Sequence, residues 1–160
     1  MARPTLCLET TVISYLAARP SRDVIVVAHQ EITRQWWATR QRFDLYVSPV
    51  VLEESALCDP EAARERLRYV EALPVLAATE RVEQAAATYF RELLFPEKAL
   101  RDAAHLAFAC VYAVDYLLTW NCAHIANAVV RRQLARLNER LGLPTATICT
   151  PEELGEQEEE

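Results

Sequence analysis

Three carboxylates and one carboxamide stand where apolar segments of the chain begin or end. Glu9 closes the run Leu6-Cys7-Leu8, Glu54 follows Val50-Val51-Leu52, Asp102 opens a long apolar stretch, and Asn121 comes after Tyr116-Leu117-Leu118-Thr119. An anionic group beside buried surface is costly unless solvent, a cation or a proton compensates it. If folding gathers these side chains, their repulsion calls for a divalent metal, and the chemistry expected of such a site is metal-assisted phosphodiester hydrolysis. Each residue also has a structural use. Glu9 could cap the following helix, Asp102 could pair with Arg101 or Lys98, and Asn121 could be a turn residue.

The elements that must position these groups alternate between short apolar strands and helices. Residues 5 to 8 read as a buried strand, with Thr10 or Thr11 starting a helix over Val12-Ile13-Ser14-Tyr15-Leu16. After the break at 19 to 23, helical periodicity runs from 24 to 42. A second strand at 45 to 47 ends in Ser48-Pro49, a cap followed by a proline suited to the first helical turn. On that helix Glu54 has Val50, Val51, Leu57 and Cys58 as its three- and four-residue neighbours and so faces the apolar side, with Glu53 the weaker candidate. Further helices are expected over 61 to 73, 80 to 95 and 97 to 114, the last apolar nearly all round from Ala103. Asp102 lies near its start, where the helix dipole favours the ionised form. A brief strand at 74 to 76, a strand at 116 to 119, a helix at 124 to 141 stopped by Gly142, and a last strand at 145 to 149 complete the series. This alternation predicts an α/β fold with a parallel sheet sandwiched between helices, and Glu9 and Asn121 both fall just beyond strand ends, where open α/β sheets bind ligands.

At 160 residues and 52% hydrophobic, the chain suits one domain, drawn over 1 to 151. Six of the last nine residues are Glu, and 152 to 160 are expected to form a disordered acidic tail; setting those six aside turns a net charge of -6 into 17 acidic against 17 basic residues. Sixteen of the basic residues are Arg. The stripe Arg132, Arg136, Arg140 runs down one helix face and could track phosphates or meet an acidic partner, with a solvated face as the default. The only two glycines are Gly142 and Gly155, which excludes a Gly-rich phosphate loop. No run approaches the length a bilayer-spanning helix needs, and a cytoplasmic protein is expected. Five scattered cysteines suit reduced thiols, and Cys122 with His124 makes no metal-site spacing. Ser48 has no histidine close in sequence to support a covalent route. His29 and His105 read as packed or rim helix residues, and adjacent Trp36 and Trp37 place one ring inward and one near the surface.

Taken together, LETTVISYL at 8 to 16, VSPVVLEE at 47 to 54, RDAAHLAFA at 101 to 109, DYLLTWN at 115 to 121 and TPEEL at 150 to 154 resemble the PIN domain, in particular the toxin nucleases of VapBC toxin-antitoxin pairs. The resemblance covers almost the whole chain. It implies a three-layer αβα fold with a central, mostly parallel sheet, dependence on Mg2+ or Mn2+, endoribonuclease action on RNA, a homodimer, and inhibition by a small antitoxin protein. Carried over by position, the family's acids fall on Glu9, Glu54, Asp102 and Asn121 as both metal-binding and catalytic residues, with Glu9, Glu54 and Asp102 holding the ion and Asn121 orienting a water. Thr10 and Thr119 would donate supporting hydrogen bonds. Two positions depart from the family pattern, which usually has Asp at Glu9 and an acid at Asn121. They motivate the alternative of a catalytically weak or inactive PIN-like protein that binds RNA or a protein partner. Asp115, six residues before Asn121, reads as structural.

Overall fold

The computed structural model describes residues 2–155. At its centre are four short strands, β1 (Thr5–Leu8), β2 (Asp44–Tyr46), β3 (Tyr116–Leu118) and β4 (Thr147–Cys149). All pairs are parallel, in the order β2-β1-β3-β4, with Leu6 opposite both Leu45 and Tyr116. Successive side chains on a strand point to opposite faces, so Leu6 and Leu8 enter one core while Cys7 enters the other. A sheet covered on both faces calls for apolar residues on both sides of its strands, and β1, β3 and β4 supply them at every buried position.

Among the described residues seven α-helices cover the two faces: α1 (Thr10–Ala17), α2 (Val24–Ala38), α3 (Pro49–Ser55), α4 (Pro60–Val70), α5 (Glu80–Glu92), α6 (Leu100–Val111) and α7 (Ala128–Leu141). Val12, Ile13 and Leu16 of α1, Trp36 of α2, Val51 of α3 and Val70 of α4 pack on the Leu6 face. Val82 and Tyr89 of α5, Ala103 and Leu106 to Cys110 of α6, and Val130, Leu134 and Leu137 of α7 pack on the other. The result is the three-layer αβα sandwich expected from the alternation of elements, with a wholly parallel sheet.

Local chemistry sets most boundaries. Ser48 Oγ accepts from Val51 N at the start of α3, Asp59 caps α4, and Gly142 ends α7 with φ 68°, a left-handed conformation that costs glycine little. Several bounds differ from the sequence expectation. The helix expected over 24 to 42 stops at Ala38, and Arg40–Arg42 form a single 3-10 turn. The one expected over 97 to 114 opens with a 3-10 turn at Glu97–Ala99 and closes at Val111, with Ala113 at φ 53° turning the chain into β3. α7 begins at Ala128 rather than at 124, because Asn127 Oδ1 accepts from Val129 N at 3.0 Å and fixes the start there. The strand expected at 74 to 76 is one parallel bridge, Val47 to Val75.

The expected tail is shortened. Residues 152 to 155 turn against the domain, with Glu153 Oε1 3.3 Å from Arg131 and Leu154 O accepting from Arg42 at 2.9 Å. The rest of that acidic segment lies outside the described residues. Among the described residues no helix is long and apolar enough to cross a membrane, and all five cysteines are free.

Candidate metal centre

The chain leaves β1 for β2 on one side and later crosses to β3 on the other, so the order of the sheet reverses between β1 and β3. In open parallel sheets the connecting helices diverge at such a reversal, and the crevice beyond the strand ends is where ligands bind. Glu9 is the first residue after β1, and its N–H extends the ladder by donating to Leu118 O at 3.0 Å. Its side chain is almost wholly buried, at 2% exposure. Oε2 is saturated, accepting from Thr11 N at 3.0 Å, from the Thr11 hydroxyl, and from Thr119 Oγ1 at 2.8 Å. Glu9 therefore does cap α1, and it does so with one oxygen. The other, Oε1, faces His105 Nε2 at 3.8 Å.

Glu54 reaches the same crevice from the last turn of α3. Its Oε1 accepts from Thr10 Oγ1 at 2.7 Å and lies 2.6 Å from His105 Nε2. Burial alone would raise the pKa of Glu54, yet the hydrogen bond and charge of His105, the Thr10 hydroxyl and the Arg101 guanidinium together hold it below 4.5. Burial alone would likewise push His105 toward its neutral form. The hydrogen bond to Glu54 and the charges of Glu9, Glu54 and Asp102 outweigh burial and raise its pKa above 6.5. Cys7, two residues before Glu9, is pushed up to about 12 by burial and by the Glu9 charge, so its thiol stays protonated.

Asp102 and Asn121 meet through a different histidine. Asp102 Oδ2 lies 3.0 Å from His124 Nδ1, whereas no ion pair joins it to Arg101 or Lys98 among the described residues. Asn121 Oδ1 accepts from His124 N at 3.1 Å, and its backbone carbonyl accepts from Ile125 N and Ala126 N, so this residue also builds the turn after β3. Asn121 N donates to Thr119 Oγ1 at 2.9 Å, and Thr119 in turn donates to Glu9. One hydrogen-bonded chain thus links three of the sequence-predicted positions, Glu9, Thr119 and Asn121, and continues through His124 to Asp102. Glu53 is exposed, and Asp115 binds Thr5 N at 2.8 Å, tying the starts of β3 and β1 together.

The residue that sequence reasoning missed is His105. Its signal was present: a single imidazole inside an otherwise apolar helix must find a buried partner, and three residues after Asp102 it shares that residue's face. Thr11, which supplies two of the three donors to Glu9, was also missed in that role. His29 packs, stacking on Trp120 at 4.1 Å, while Trp36 is buried and Trp37 lies beneath the Arg40 guanidinium.

Oxygens of Glu9 and Glu54 and a ring nitrogen of His105 lie within 4.8 Å of one another. Two carboxylates and an imidazole, delivered by three different elements and with the Glu9 carboxylate already oriented by three donors, form a set that fits a divalent cation. The mixed oxygen and nitrogen donors suit Mn2+ better than Mg2+, which prefers oxygen throughout. No known family model matches the sequence, and no protein of curated function is found to be similar to it.

Proposed function

We propose that this protein is a metal-dependent endoribonuclease that hydrolyses RNA phosphodiester bonds, as its resemblance to the PIN-domain toxin nucleases implies. The observation that supports this best is the convergence of a buried Glu9 carboxylate, Glu54 and His105 in the crevice between β1 and β3. Glu9, Glu54 and His105 would hold Mn2+ or Mg2+, with Asp102 one helical turn away. The bound ion would lower the pKa of a water and offset charge on the phosphorus. Thr10, Thr11 and Thr119 fix the rotamers of the two glutamates, and Asn121 holds the turn that carries His124 against Asp102. A small inhibitory antitoxin, a homodimer and a cytoplasmic location belong to the same proposal.

One contact favours a second reading. His105 Nε2 at 2.6 Å from Glu54 supplies a cation from within the chain, which would let the carboxylates persist without metal in a catalytically weak protein that binds RNA or a protein partner. Manganese titration by calorimetry, run beside cleavage of a panel of RNAs, separates the two. Metal binding, with cleavage lost in Glu9→Gln and Glu54→Gln, supports the nuclease. RNA binding with no response to millimolar metal rejects it.

A further inference from the structure

The seam between α5 and α7 carries cationic side chains that have no side-chain partner among the described residues. The two helices run antiparallel, joined within the C-terminal third of each by the hydrogen bond from Tyr89 Oη to Asn138 Oδ1. On either side of that bridge the seam opens into shallow hollows of about 190 and 210 Å³. Arg136 and Arg140 line the first, beside Gln133 and Leu93, and Arg81 and Gln84 line the second. Arg132 continues the same face of α7 toward its start. All four arginines are exposed, and none makes an ion pair or hydrogen bond among the described residues. Others are engaged: Arg131 with Glu153, Arg91 with Glu92, Arg3 with Asp44. Of the acids on these helices, Glu92, which also lines the first hollow, lies 3.5 Å from Arg91 and Glu80 accepts from Gln84, while Glu83 and Glu139 are exposed.

We propose that this seam is the track for single-stranded RNA leading away from the candidate metal centre, with Arg136, Arg140 and Arg81 as successive phosphate contacts. The inference rests on the nuclease reading for its direction. Beyond Leu93 the chain runs to Phe95, whose ring meets His124 edge-on at 6.0 Å, and His124 binds Asp102, so the seam ends at the rim of the crevice. Four residues of helix advance about 6 Å, which spaces Arg132, Arg136 and Arg140 as a ladder that a phosphate backbone can follow. A centre made of carboxylates repels a polyanion, so binding needs its cations placed elsewhere along the strand.

The test is fluorescence anisotropy of a labelled, mixed-sequence single-stranded oligoribonucleotide with EDTA present, which reads binding without cleavage. In Arg136→Ala/Arg140→Ala the slope of log affinity against log salt should fall by about 1.4, and in Arg81→Gln by about 0.7, following roughly 0.7 per phosphate contact on a single strand. Arg64→Ala, an exposed arginine on α4 with no partner among the described residues, should change nothing. Wild-type slopes in the seam variants, or an equal loss in Arg64→Ala, would overturn the proposal, as would seam-dependent binding of polyglutamate in place of RNA. Calorimetry with Mn2+ on the same proteins keeps the two readings apart. Altered slopes with no Mn2+ binding would sink the nuclease and leave the seam, whereas Mn2+-dependent cleavage with unaltered slopes would do the reverse.

Discussion

His105 Nε2 lies 2.6 Å from Glu54 Oε1, on the side of the crevice that Glu9 Oε1 also faces. The same nitrogen cannot hold a proton for Glu54 and a lone pair for a metal. Metal binding at this centre is therefore coupled to deprotonation of His105, whose pKa is raised above 6.5 by its acidic neighbours. Mn2+ affinity should rise as pH increases through the raised pKa of His105, with proton release measurable by calorimetry in buffers of different ionisation enthalpy. His105→Gln should weaken Mn2+ binding by about tenfold or more and remove the proton release. Unchanged affinity in that variant would show that the imidazole is not a ligand.

Without metal the same pair makes stability depend on pH from both sides. His105 has a higher pKa folded than unfolded, so its contribution is complete below about 6.5 and fades as pH rises through the folded value. Glu54 has a lower pKa folded than unfolded, so its contribution is present above 4.5 and fades as pH falls through the folded value. In chelator, urea unfolding should show greatest stability between these limits. His105→Gln should flatten the alkaline decline while leaving other titrations in place. A decline identical to the wild type would place its origin elsewhere.

Much of this arrangement was legible in the sequence. Ser48-Pro49, Asp59-Pro60 and Gly142 announce helix ends by local chemistry, and the apolar quartets around Leu6 and Leu117 read as buried strands. Glu9 and Asn121 could be placed beyond strand ends, though the reversal of strand order that brings those ends together is a long-range property invisible to periodicity. Asp102 and Glu54 were legible as candidates, but which histidine each would meet was not. His105 lies 51 residues from Glu54 and His124 lies 22 from Asp102, so only tertiary packing sets these pairings. The start of α7 was misread because His124 and Ile125 continue its apolar pattern, while the Asn121 and Asn127 side chains hold residues 121 to 127 as a turn.

Thr119 connects the two halves of the site, donating to Glu9 Oε2 at 2.8 Å while accepting from Asn121 N at 2.9 Å, and it is fully buried. Thr119→Val keeps the shape but removes both bonds, leaving a buried N–H without its acceptor and Glu9 with one donor fewer. A loss of about 1 to 3 kcal/mol in urea unfolding is expected. Thr119→Ser, which retains the hydroxyl, should recover most of it. Wild-type stability in Thr119→Val, with the loss confined to Thr119→Ser, would assign the effect to the methyl group instead.

The thiols should divide by burial. Cys58 and Cys122 are exposed, whereas Cys7, Cys110 and Cys149 are buried, with Cys7 and Cys149 pushed up to about 12 chiefly by desolvation. A thiolate is the reactive form, so a colorimetric disulfide reagent should titrate two cysteines rapidly in the native protein and the other three only on unfolding. Because Cys7 belongs to the strand that Glu9 directly follows, its rate of labelling reports opening of β1 itself. If Glu9 and Glu54 hold Mn2+, saturating metal should slow Cys7 labelling and leave Cys58 unaffected, since ligand binding to the native state suppresses opening. Equal rates with and without metal would mean that the ion, if bound, does not bridge β1 to the rest of the fold.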